Sequence, residues 1–470
     1  NAEALEGVTE LSFNREFRRP LQGLTFPGSL RNLTFSVEFN QRLQGVDLTL
    51  GGRFNDRLHD AWPDRFHWLS SIPWLGRSLL GVSLPSSLKS LTFGVEFNQS
   101  LQGVTLPGSL QSLTFGFFFN QSLLGVDLPN ALQSLAFGVE FNQSLQGVSW
   151  PQSLVRLTLG FAFNQSLEGV ALPRSLESLT FGDSFNQSLH IVDLPSLRSL
   201  TFGDSFSQSL NNLPVPSLES LSLGAKCNQK LKGVTLPSLQ SLTLGSEFIQ
   251  FRGVAWPCLQ SLTLGDAFNQ SLSGMALPSS LRFLTFGFAF NQKLRGVALP
   301  SGLQSLTLGS RFDQSLQEVQ FPTTLQRLSF GDSFNKPLQG VAFPNSLQSL
   351  TFGWKFNRSL EGVKLPGSLQ SLVFGGRFNQ SLQGLILPSS LRTLTLGQHF
   401  NNSLQDISWP PELQNLTLGK FFNYMTQMQL PDSLQSLTIF SYTGTAQQLT
   451  LPGNLLLLRI AAFTVSAEDC

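Results

Sequence analysis

The residues best suited to chemistry crowd into one stretch. Residues 58–82, LHDAWPDRFHWLSSIPWLGRSLLGV, hold two of the chain's four histidines and three of its seven tryptophans. His59, Asp60, Asp64 and His67 bring together imidazole and carboxylate donors of the kind that hold a divalent cation. Trp62, Trp68 and Trp74 with Arg65 suit a different task, anchoring a protein partner, because large rings and guanidinium groups dominate binding energy at interfaces. The plainest alternative is a degenerate segment whose rings fill an irregular core. All three readings stand; the partner-binding one supplies the site residues carried forward, and no metal centre is assigned.

Outside this stretch the chemistry is sparse. His190 and His399 stand alone, and no spacing singles out a Ser-His-Asp arrangement. A phosphate loop, a dinucleotide fingerprint and a Cys/His zinc spacing are all missing from the sequence. Cys227, Cys258 and Cys470 are an odd, sparse set and make no disulfide framework. The expectation is a non-enzymatic chain with no catalytic residues and no cofactor. Asn1 is not a methionine and no signal-peptide pattern follows it, so a processed or partial chain is expected.

What must position these residues is a repeat. Phe makes up 42 residues and Gly 41, against 2 Tyr and 3 Met, as when one short unit is copied many times. The unit is clearest in PSSLKSLTFGVEFNQSLQGVTL, residues 85–106, followed by PGSLQSLTFGFFFNQSLLGVDL, residues 107–128. Its anchor phenylalanine recurs every 22 residues at Phe97, Phe119, Phe141, Phe163 and Phe185, and again from Phe290 to Phe422. Leu91 and Phe93 alternate with Ser90 and Thr92, the pattern of a half-buried strand. Gly94 then marks a turn, and Val104 and Leu106 form a second extended piece closed by Pro107. A proline and two glycines per unit leave no room for a helix.

Each coil is thus read as strand, turn, short extended segment, turn. Coils bury one another's apolar faces by stacking, and roughly 21 of them span the chain. The expected fold is mainly β: a solenoid with one parallel strand per ~22-residue coil, an extended opposite side and gentle curvature. It is expected to run as one domain over residues 1–470, irregular at 44–82 and capped at about 445–470, where Leu455–Leu458, Ile460 and Phe463 would cover the last coil. Phe26, Trp150, Trp256, Phe321, Phe343 and Trp409 replace a leucine before proline, so that slot is expected to face inward. Cys227 occupies an anchor-phenylalanine slot and reads as a small core residue.

The consensus LxxLxFGxxFNQSLxGVxLP resembles the leucine-rich repeat, in its FNIP-type variant. The resemblance covers nearly the whole chain. This sequence usually has FNQSL where the variant's name has Phe-Asn-Ile-Pro; Phe334-Asn335-Lys336-Pro337 comes nearest. The resemblance implies a protein–protein interaction module, sometimes joined to an F-box or kinase domain, neither of which is visible here.

Function in such a protein lies where copies differ. The pair between the strand-ending glycine and the anchor phenylalanine is the most variable place. Val95, Phe117, Val139 and Phe161, extended by Phe118, make an apolar stripe there if the pair faces outward, and ordinary core if it faces inward. Further along the position holds Asp183, Asp204, Asp266, Phe288, Asp332 and Trp354. The asparagine after the anchor (Asn98, Asn120, Asn142 and on) is expected to be buried and bonded to turn backbone; many copies also read as Asn-x-Ser glycosylation sequons. The sheet face is a uniform Ser/Thr/Gln array.

Charged residues are 13% of the chain and the net charge is +1. With no Lys/Arg run and no apolar span of membrane length, neither nucleic acid nor membrane insertion is expected. Three functions remain open: a protein-interaction scaffold or assembly subunit, an extracellular or surface structural protein binding ice or glycans through the hydroxyl array, and a regulatory adaptor without its effector domain. The first is favoured, with a protein partner of unknown identity.

Overall fold

The structure, a computed structural model, describes residues 88–189, 193–211, 213–229, 231, 233–249, 256–405, 407–424, 429–440 and 451–460, together with the backbone of strands Glu10–Phe13 and Asn32–Phe35. The segment 58–82, with His59, Asp60, Trp62, Asp64, Arg65, His67, Trp68 and Trp74, lies outside the described residues. The chain divides into two compact units, residues 1–229 with 233–239 and residues 230–232 with 240–470. Both are built from the same coil.

Each coil contributes one short strand, such as Ser112–Thr114 or Ser134–Ala136, and the strands pair in parallel with like residues opposite one another. Leu113 faces Leu135, and Leu135 faces Leu157, because these coils are each 22 residues long. No helix is present among the described residues. In the coil 107–128, Leu110, Leu113, Phe115, Phe119, Leu123, Val126 and Leu128 all point into the core and are buried.

The rings of the core stack along the coil axis. Phe97, Phe119, Phe141 and Phe163 lie about 6 Å apart, centroid to centroid, with near-parallel planes. The strand-ending phenylalanine packs on the anchor within its own coil, with Phe115 and Phe119 at 3.8 Å. Such offset contacts add to the burial of large apolar area.

Three turns, not two, close the coil. They centre on residues 108–109, 117–118 and 124–125 in this copy. Leu110 N–H bonds Pro107 C=O at 3.0 Å, Phe119 N–H bonds Gly116 C=O at 3.2 Å, and Val126 N–H bonds Leu123 C=O at 3.0 Å. The third turn has a positive-φ glycine, Gly125 at 75°. Glu318 takes that place in one coil with φ 62°, and its carboxylate reaches Arg295 at 2.7 Å on the exposed face.

The leucine-before-proline slot behaves unevenly. Trp150 and Trp256 are buried there, while Phe321, Phe343 and Trp409 are only half-buried. Trp150 Nε1 is buried with no acceptor among the described residues. The expected C-terminal cap differs in part: Leu457–Ile460 is itself a strand, paired with Ser436–Ile439. Leu456 before it and Leu457 and Leu458 within it are exposed, and residues 461–470 lie outside the described residues.

Candidate functional site

The close approach of coils begins at the glycine that ends each strand. A Cβ placed on Gly138 would stand 1.7 Å from the carbonyl oxygen of Gly116, and on Gly160 1.7 Å from that of Gly138. Only glycine fits, so this column of the coil is fixed. The two residues after it are the tip of the second turn. Their backbone is also tied across coils: Phe118 N–H bonds Val95 C=O, and Glu140 N–H bonds Phe117 C=O, both at 2.9 Å. Because these bonds are made by backbone, the tip leaves its side chains free to vary.

This decides the question that the sequence left open. Phe117 and Phe161 are 40% and 52% exposed. Val95, Phe118 and Val139 are half-buried. Phe117 and Phe118 meet edge to face, ring centroids 4.8 Å apart. The stripe is therefore outward, with its valines partly sheltered between the larger rings' coils. The same tip positions carry exposed Phe288 and Trp354 in the second unit.

Some aspartates of this column bond the turn of the next coil. The Asp204 carboxylate accepts the N–H of Ala225 at 2.9 Å, and Asp266 accepts that of Phe288 at 3.0 Å. Each thereby caps the turn of the next coil with a charge-assisted bond.

The asparagine ladder is present, in a form different from the expectation. The Asn120 side-chain oxygen accepts the backbone N–H of Asn142 at 2.9 Å and the amide of Gln143 at 3.0 Å. The same pair of bonds joins Asn142 to Asn164 and Gln165. These side chains are half-buried or exposed rather than buried, and they bond the following coil, not their own turn. Glutamine thus completes the asparagine's acceptor capacity, a role that the spacing alone did not reveal.

The sheet face is uniform. Ser and Thr flank most of the inward leucines and are mostly half-buried by their neighbours. Among the interruptions, Arg156, Phe283, Arg327 and Asn415 are exposed. Cys227 fills its anchor slot fully buried, and burial pushes its thiol up to about 11. Among the described residues no group of three or more His, Cys, Asp or Glu is placed to hold a metal ion, and no helix is long and apolar enough to cross a membrane.

Solved structures similar to this one include a leucine-rich-repeat protein. The crystal structure of CroV588, a novel circular leucine-rich-repeat protein, superposes with a TM-score of 0.67 at 30% identity, covering 98% of this chain and 81% of that one. YopM from Yersinia enterocolitica gives a TM-score of 0.46 at 21% identity over 76% of this chain and 85% of that one. The internalin InlF from Listeria monocytogenes gives 0.41 at 18% over 63% of this chain and 83% of that one. No curated protein matches the sequence. The FNIP repeat model matches in nine overlapping stretches that together span residues 77–226 and 257–399. With that much of the coil accounted for by one repeat, the chain belongs to the FNIP repeat family of leucine-rich-repeat proteins.

Proposed function

We propose that this chain is a non-catalytic scaffold for protein–protein interaction, or a subunit of an assembly, that engages its partner through the tips of the second turn rather than through the sheet face. A leucine-rich-repeat solenoid is typical of interaction scaffolds. The observation that supports the tips is the exposure of Phe117 and Phe161 on a column that no coil contact requires to be apolar. Large rings left in water are unfavourable by themselves, and contiguous apolar surface marks contact sites. The hydroxyl array of the sheet, by contrast, repeats one chemistry and discriminates little.

The test is paired affinity capture with the whole chain as bait. Wild type should retain a stoichiometric protein that a Phe117→Ser/Phe161→Ser variant loses, both baits unfolding at the same temperature. A Thr158→Ala/Thr180→Ala variant on the sheet face should retain it. Loss through the sheet-face variant instead would overturn the assignment to the tips. Retention of no protein by wild type would overturn the scaffold reading.

A further inference from the structure

In the second unit the turn tips change character. Trp354 is exposed at the first tip position of its coil. The next coil has glycine at that position, Gly376, where every other coil from Val95 to Lys420 carries a side chain. A Cβ on Gly376 would lie 2.1 Å from Cζ3 of Trp354 and 2.2 Å from its Cε3. The indole therefore rests across the neighbouring coil in room that only glycine leaves. Beyond it, His399 meets Trp354 edge-on at 6.1 Å and Phe421 at 5.0 Å. Rings from three coils form one ledge bridging a fourth.

Cations line this ledge. Lys355 follows Trp354 in sequence, and Arg377 N–H bonds the Trp354 carbonyl at 2.8 Å, so the two bases are carried by consecutive turn tips, the first of them Trp354's own. Both are exposed, and neither joins an ion pair among the described residues. The nearest tip acid, Asp332, spends an oxygen on the Trp354 N–H at 3.3 Å. The other flanking tips are Ser333 and Gln398. Ring and cation also combine at other tips of this unit: Arg311 lies 5.1 Å over Phe288, and Lys420 5.9 Å from the Phe421 centroid. Two like charges on adjacent coils repel, and Asp332 is the one carboxylate on the flanking tips, with no ion pair to either base among the described residues.

We infer that the ledge of Trp354, His399 and Phe421, with Lys355 and Arg377, is a docking surface for an acidic segment of another protein carrying an aromatic or aliphatic anchor. The anchor lies against the indole that Gly376 accommodates, and carboxylates meet the two bases. This rests on the protein-binding reading but concerns a different unit from Phe117 and Phe161.

The probe is a fluorescent peptide in which Asp and Glu flank a phenylalanine, titrated into the full chain and followed by anisotropy. Saturable binding that weakens as salt rises is expected. Trp354→Ala, and separately Lys355→Glu/Arg377→Glu, should weaken it about tenfold or more. Gly376→Ala should weaken it too, by displacing the indole, while Lys364→Glu and Phe117→Ser/Phe161→Ser should not. Absence of binding, equal binding of the peptide with lysines in place of its acids, or indifference to the Trp354 and Lys355/Arg377 variants overturns the inference. Tighter binding of an oligothymidylate than of the peptide also overturns it, by making the ledge a nucleic-acid surface. If the peptide fails while wild-type capture of a partner persists, only the ledge is refuted and the scaffold reading stands.

Discussion

Three glycine-to-alanine changes separate the forces that hold one coil on the next. Gly108 has open space around a Cβ and an ordinary φ; alanine there should be neutral or stabilise by about 0.5 kcal/mol through the unfolded chain. Gly125 has the same open space but φ of +75°, so alanine should cost about 1 kcal/mol of backbone strain. At Gly138 the added Cβ would lie 1.7 Å from Gly116 O and 2.4 Å from Gly116 C, both backbone atoms. Relief to an ordinary contact requires the coils to part by roughly 1.5 Å, against a usual strand spacing of about 4.8 Å. That opening would strain the Phe115 N–H to Ala136 C=O and Glu140 N–H to Phe117 C=O bonds, 2.8 and 2.9 Å long. With about 1 kcal/mol for each lost bond and 1–3 for overpacking, the cost is roughly 3–5 kcal/mol. Urea unfolding followed by circular dichroism should rank the variants in that order. Hydrogen exchange should place the lost protection of Gly138→Ala in residues 110–145, because a repeat transmits strain first to its neighbours. If Gly138→Ala unfolds with wild type, or Gly108→Ala costs as much, close backbone approach is not what fixes this column.

Three more outcomes follow from single sites. Asn142→Ala removes the acceptor for Asn164 N–H and Gln165; at this half-buried position urea denaturation should show a loss of about 1 kcal/mol, and no loss would remove the ladder from the stabilising interactions. Glu318→Gly relieves the one positive-φ non-glycine residue among those described at the expense of an exposed ion pair worth little, so the melting temperature should rise. Cys227 should resist alkylation while the exposed Cys258 reacts. Because the Cys227 thiol ionises near 11 when folded and near 8.5 when free, the unfolded state loses its proton first. Stability should therefore fall as pH rises between those values, and fall less in Cys227→Ala; equal alkaline loss in both would refute this.

Repetition explains what could be read in advance. The inward slots were legible because each is filled many times by exchangeable apolar residues, so Leu113, Phe115 and Phe119 declare themselves through their counterparts. The turn tip did not, because a β-turn and an inward bend both read as two free residues between glycine and phenylalanine; only the Phe119 N–H to Gly116 C=O bond tells them apart. The asparagine's partner was hidden for a similar reason: a ladder along the stack and a bond within one turn need the same spacing. Trp354 stood out as a tip residue, but its seat did not, although the doubled Gly375-Gly376 was a signal that the column had been cleared. Arg377 and His399 acquire meaning only once consecutive tips are known to be adjacent.

The same geometry says where variation can carry function. An inward residue touches the coils above and below, and the strand-ending glycine touches backbone on the preceding coil, so a change at either disturbs three units at once. A tip side chain leaves that contact to its own main chain: Arg377, His399 and Phe421 each donate their N–H to the carbonyl of the preceding coil regardless of side-chain identity. Within the first unit the tips can therefore pass from apolar at Phe117 to acidic at Asp204, and within the second from acidic at Asp266 to aromatic and cationic at Trp354 and Arg377, while the coil repeats beneath them. On the proposed reading, affinity for a partner would be altered there with few compensating changes, as Gly376 beside Trp354 illustrates.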